Sequence, residues 1–196
     1  MSLTVVGTMA FDEIETPFGK SGKIIGGSAT YIAWAASNFV KPINQVSVIG
    51  EDFPQTELDS LTAKGVALDG VQVKKGEKSF YWSGKYHMDM NTRDSLATEL
   101  NVLADFQPVI PESYQGSEFL ILGNLTPQVQ ISVLDQLKVR PKLIVMDTMN
   151  FWMEVALDDL LKVLKRVDVL MVNDGEARQL SGEYSLVKAA RKILTI

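Results

Sequence analysis

The sequence contains no cysteine and a single histidine, His87. Without cysteine there can be no disulfide and no thiolate metal site, which suits a reducing compartment. A lone histidine argues against a zinc centre and against a Ser-His triad. No run of lysine and arginine occurs, and the net charge of −5 argues against nucleic acid or an anionic membrane surface as partner. Long apolar stretches are also missing. The longest, Phe119–Leu122, Leu143–Met146 and Val169–Val172, fall far short of a bilayer span. Residues Thr4–Val6 are preceded by no basic leader and no long apolar stretch, so a signal peptide is not expected and a cytoplasmic location is. Internal repeats and low-complexity tracts are absent.

What is present reads as an ordinary globular chain. At 196 residues, 46% hydrophobic and 22% charged, it fits one domain with a real core. Short, continuously apolar runs at Leu3–Val6, Val46–Ile49, Phe119–Leu122, Leu143–Met146 and Val169–Val172 suit strands covered on both faces. Helical patterns lie between or after them at Ser28–Phe39, Pro54–Lys64, Pro127–Leu137, Leu157–Val167 and Ser185–Leu194. In the fourth of these, Leu157, Leu160, Leu161 and Leu164 form one stripe for packing on a sheet. Such alternation predicts a layered α/β fold with a mainly parallel sheet. Two segments, about 11–25 and 70–96, break the rhythm. Val71-Gln72-Val73 and Phe80-Tyr81-Trp82, separated by a turn at Lys74–Glu77, read as strands of a small β-sheet lid. The aromatic residues Phe80, Tyr81, Trp82 and Tyr86 could pair one lid with another in a homodimer, or form the lid's own small core.

The pair Gly26-Gly27 stands directly before the helix that begins at Ser28, where glycines allow close backbone approach and a helix start offers N–H groups. Asp12 follows the first strand, at the edge where crevices open in α/β sheets. Its carboxylate could accept from two adjacent hydroxyls of a sugar, or merely satisfy nearby backbone N–H groups. Asn173 and Glu176 follow the strand Val169–Val172 and open the next helix. Glu176 could complete a cap, or hold Mg²⁺ through water near phosphates. Asp147, in Asp147-Thr148-Met149-Asn150, could face the same crevice, although burial or a turn explains it as well. Gly19-Lys20-Ser21 only imitates a P-loop, because Ile14 stands where the first glycine is required. Asn124-Leu125-Thr126 matches a glycosylation acceptor without a secretory context.

Taken in order, Gly7-Thr8-Met9-Ala10-Phe11-Asp12, Gly26-Gly27, the Gly-x-Asp stretch Gly50-Glu51-Asp52 and Asn173-x-x-Glu176 make the chain resemble roughly the N-terminal two-thirds of a ribokinase-like (PfkB) sugar kinase. The resemblance implies ATP-dependent phosphorylation of a sugar or nucleoside hydroxyl. Asp12, Gly26 and Gly27 would bind sugar hydroxyls beneath the lid, while Asn173 and Glu176 would organise Mg²⁺ and the ATP phosphates. Tyr31 stands where many members carry an asparagine, which alters the contacts available to the sugar. The family's Asp-Thr-x-Gly-Ala-Gly-Asp motif, source of the catalytic base and an anion hole, does not occur in these 196 residues. A fragment without turnover of its own is therefore the expectation, with a non-catalytic sugar-binding or assembly module as the alternative. A Rossmann dehydrogenase is disfavoured, since no Gly-x-Gly-x-x-Gly follows the first strand.

Overall fold

In the computed structural model, which describes residues 1–196, the chain opens with β1 (Leu3–Val6), β2 (Ala10–Thr16), β3 (Gly19–Gly26) and α1 (Ser28–Ala36). It continues through β4 (Ile43–Gly50), α2 (Gln55–Ala63), β5 (Val66–Lys74), β6 (Phe80–Tyr86) and β7 (Arg93–Glu99). Then come β8 (Phe119–Leu122), α3 (Pro127–Asp135), β9 (Leu143–Asp147), α4 (Asn150–Val155) and α5 (Leu157–Leu164). The last elements are β10 (Val169–Met171), α6 (Asp174–Ser181) and α7 (Leu186–Ile193). None of the helices is long and apolar enough to cross a membrane.

Six strands form an all-parallel sheet in the order β10-β9-β8-β1-β4-β5. Its centre is apolar on both faces because it is covered on both. Every residue of β1 and of β4 is buried. Alternate residues feed two separate cores. Val6, Val46, Leu120, Leu122 and Met146 meet Val133 of α3 and Leu160 and Val163 of α5 on one side. On the other, Val5, Ile43 and Ile49 meet Ala29 and Ala33 of α1 and Leu61 of α2. The small Ala29 and Ala33, one helical turn apart, let α1 sit close to the strands.

Four strands make a second, mixed sheet in the order β3-β2-β6-β7. Here β2 and β6 are parallel, while the outer pairs are antiparallel. Phe11, Ile25 and Tyr81 turn one of its faces into the α1–α2 core, where the Phe11 and Phe53 ring centroids are 5.7 Å apart. The Gly-x-Asp stretch ties the start of β6 to the large sheet: Asp52 Oδ1 accepts from Ser79 N (2.7 Å) and Ser79 Oγ (2.8 Å).

Several expectations are corrected. Val71-Gln72-Val73 lies in β5 and pairs with Ser47-Val48-Ile49 of the large sheet, so from the segment 70–96 the small sheet takes only β6 and the start of β7. A short run of β-formers looks alike in a flap and on a half-exposed edge strand. Helix α1 ends at Ala36 rather than Phe39, and α4 has no counterpart among the helical patterns. The aromatics Phe80, Tyr81, Trp82 and Tyr86 are half-buried rather than exposed.

Candidate functional site

The loop after β1 is laced to the start of α1. Gly27 has φ of 94°, and a Cβ there would lie 2.3 Å from the Thr8 carbonyl oxygen. No side chain fits that position without displacing backbone. Thr8 O accepts from Ala29 N (2.9 Å), and Thr8 Oγ1 accepts from Ser28 N (3.0 Å). Two of the N–H groups at this helix start are therefore engaged inside the protein, contrary to the expectation that they face a ligand. Thr8 is the residue responsible, and nothing in its sequence context marks it.

Asp12 lies on β2, between Ile24 of β3 and Trp82 of β6. Its carboxylate is packed over Gly26, where a Cβ would come within 2.2 Å of Asp12 Oδ2. The side chain is half-buried, and burial raises its pKa above the usual carboxylate range. No group of the chain donates to it, so the reading of a loop aspartate that satisfies backbone N–H groups does not describe it. The fold brings Asp12, Gly26 and Gly27 together. Tyr31 is on α1, largely exposed, with its hydroxyl donating to Ile25 O at 3.1 Å. That bond holds the ring beside the glycine pair.

Further along the same edge of the large sheet stand Asp147, at the end of β9, and Asn173, just after β10. Asn173 Oδ1 accepts from Glu176 N and Glu176 Oε2 accepts from Asn173 N, both at 2.9 Å. This is a complete capping box. Glu176 is buried, so the structural role foreseen for it is filled. Asp147 is half-buried with its pKa raised, chiefly by burial; the Thr148 N–H opposes this and the Glu176 charge adds to it. Behind these residues Gln130, buried on α3, donates from Nε2 to both Gly123 O and Asp147 O at 3.1 Å. It ties together the ends of β8 and β9 beyond their last ladder pair, Leu122 and Met146. A buried glutamine carries no sequence signal for this.

No cluster of three or more acidic or histidine side chains could encage a metal ion. A pair of carboxylates close enough to feel each other suits instead a Mg²⁺ that keeps most of its waters. Asp147 and Asn173 stand at the carboxyl ends of parallel strands, and the loop after the carboxyl end of β1 is bonded to the residues that follow Gly27; α/β sheets bind ligands at that edge.

A scan against protein-family profiles finds no match. The chain is 27% identical over 195 residues to a cytidine kinase of Thermococcus kodakarensis, covering 97% of this chain and 68% of that protein. Among solved structures, a PfkB protein from a Polaromonas species superposes with a TM-score of 0.76 at 14% identity, over 100% of this chain and 73% of the other. The nucleoside kinase of Methanocaldococcus jannaschii, described as an archaeal member of the ribokinase family, gives 0.74 at 15% identity, over 97% and 67%. A Burkholderia thailandensis nucleoside kinase in complex with inosine gives 0.72 at 16%, over 97% and 67%.

Proposed function

We propose, for a chain that is ribokinase-like in fold and related over nearly its whole length to a cytidine kinase, that it supplies the acceptor-binding part of an ATP-dependent kinase. The acceptor is a hydroxyl of a sugar or nucleoside. The observation that carries this reading is Asp12, a half-buried carboxylate with no donor from the chain, held over Gly26. A carboxylate in that state gains by accepting from ligand hydroxyls, and two adjacent hydroxyls match its two oxygens.

The phosphate side of the reading assigns Asp147 and Glu176 to a hydrated Mg²⁺ and Asn173 to the edge of the nucleotide site. When bound, the cation neutralises charge on the transferring phosphates. In these residues the chain's own contribution is position. The capping box fixes Glu176, and Gln130 fixes the strand end that bears Asp147. No Gly-Ala-Gly-Asp occurs in the 196 residues, so no base is assigned, and the chain by itself transfers no phosphoryl group. A cytoplasmic setting, and pairing of two copies through the small sheet, belong to the same reading.

Calorimetric titration of the chain with cytidine, inosine and ribose tests it, alongside an assay for ADP release. Binding that is weakened at least about tenfold in Asp12→Asn supports the assignment, the loss expected for hydrogen bonds to a charged group. Equal affinity in the two proteins would overturn it. Acceptor-dependent ADP release by the chain alone would overturn the statement that it transfers no phosphoryl group by itself.

A further inference from the structure

Asp12 has a neighbour on its own sheet face that the proposed function does not use. In the parallel β2–β6 ladder Asp12 is in register with Trp82, and in the β2–β3 ladder with Ile24. Residues in register share a face; along it the carboxylate leans back over Gly26, level with Ala10, and the indole leans forward over Gly84, level with Ile14. The intervening residues Phe11, Ile25 and Tyr81 point the other way, into the α1–α2 core. Trp82 and Ile24 belong to neither core cluster.

The indole is also pinned. A Cβ at Gly84 would lie 2.1 Å from Trp82 Cη2 and 2.3 Å from Cζ2, so the six-membered ring rests on the Gly84 backbone, two residues along its own strand. Trp82 Nε1 donates to Ser95 Oγ of β7 at 3.0 Å. One ring face is therefore spent on the sheet, and the ring cannot swing without losing that bond. Only glycine at position 84 permits this arrangement.

A flat, immobilised aromatic ring on the same sheet face as an unpartnered carboxylate, and set apart from it along the strands, suits a ligand with two unlike parts. Hydroxyls on one ring donate to the carboxylate, while a second, planar ring lies on the indole. Stacking works for any base because every base has a π-face, and a fixed platform loses little rotamer freedom on binding. We infer that Trp82, held flat by Gly84 and Ser95, is the stacking platform for the base of a nucleoside, and that the acceptor is a nucleoside rather than a free sugar. This rests on the proposed role of Asp12.

The test titrates the 196-residue chain with cytidine, inosine and ribose, comparing Trp82→Leu, Trp82→Phe and Gly84→Ala with the parent. In Trp82→Leu the Kd of both nucleosides should rise by about five- to 150-fold, the range of one base–aromatic stack, while that of ribose changes less than about twofold. Trp82→Phe, which keeps a ring, should recover part of the loss. Gly84→Ala, which keeps the indole but lifts it off the strand, should act in the direction of Trp82→Leu. With Trp34 and Trp152 replaced by phenylalanine, the fluorescence of Trp82 should be quenched by nucleosides and not by ribose. Unchanged nucleoside affinity in Trp82→Leu, or equal losses for ribose and nucleosides, would overturn the platform. Parent protein that binds ribose as tightly as nucleosides would overturn it and leave the proposed function standing. Absence of binding by all three ligands would overturn both.

Discussion

Asp12 and Glu176 have their carboxylates held in opposite ways. Asp12 has no donor from the chain and is half-buried, so its charged form is disfavoured. Across the sheet Glu176 is more deeply buried, yet it accepts from Asn173 N while Asn173 accepts from Glu176 N. The first arrangement is a cost that the fold carries, and the second is a stabilising device. A buried polar group without a partner points outward to a ligand, whereas one inside a closed network explains itself by the fold alone.

The largest effect that could break this contrast is at Asp12. Replacing it with asparagine should weaken acceptor binding at least about tenfold and at the same time raise the melting temperature at neutral pH. The sign follows from the raised pKa. The folded state binds the Asp12 proton more tightly than the unfolded chain does. The side chain is therefore favourable to folding below the unfolded pKa of about 3.9 and loses that advantage as pH rises through its folded value. Asparagine mimics the protonated form. Its gain in thermal stability should be present at pH 7 and vanish below about pH 4, as melting curves at the two pH values will show. A melting temperature lowered at pH 7 would mean that Asp12 has a donor within the protein and that the contrast is false.

On the other side Asn173→Ala should cost stability and nothing in acceptor affinity. It removes the acceptor for the Glu176 N–H at the first turn of α6, a loss of about 0.5–2 kcal/mol for an N-cap. Urea unfolding measures the loss and calorimetry with cytidine checks the affinity. A large drop in acceptor affinity would show that the two sides are coupled rather than separate.

Much of this was legible beforehand, and what was not follows a pattern. The parallel sheet could be read because its strands packed on both faces include continuous apolar runs such as Phe119–Leu122. Asp12 could be placed near the first strand, but not on β2, because a strand reading Ala-Phe-Asp-Glu-Ile-Glu-Thr carries charge on both faces and shows no clean alternation. For the same reason Val71-Gln72-Val73 was assigned to the wrong sheet: edge strands of both sheets are half-exposed and alternate alike. Glu176 had two readings, and its spacing to Asn173 fits both, since a capping box and a phosphate-side carboxylate call for the same residues at a helix start. Thr8, Gln130 and Trp82 act through contacts 7 to 20 residues away in sequence or through a ring laid along its own strand. Local patterning contains no trace of either.

The smallest effect sharpens the comparison most. Glutamine in place of Glu176 can still accept from Asn173 N, so the capping box survives and only the charge is lost. Loss of a negative charge from the first turn of α6 should cost about 0.3–1 kcal/mol. Part of that is returned at Asp147, whose carboxyl is held up partly by the Glu176 charge and should titrate lower in Glu176→Gln. If Glu176 does nothing but cap, the variant should differ from the parent only in this small stability term. If the pair Asp147 and Glu176 also holds a hydrated divalent cation, the affinity for Mn²⁺, followed by electron paramagnetic resonance with ATP present, should fall while the fold remains intact. Unchanged Mn²⁺ affinity in Glu176→Gln would leave the capping box as the whole role of this glutamate, and Asp12 and Asp147 as the carboxylates that the fold itself does not account for.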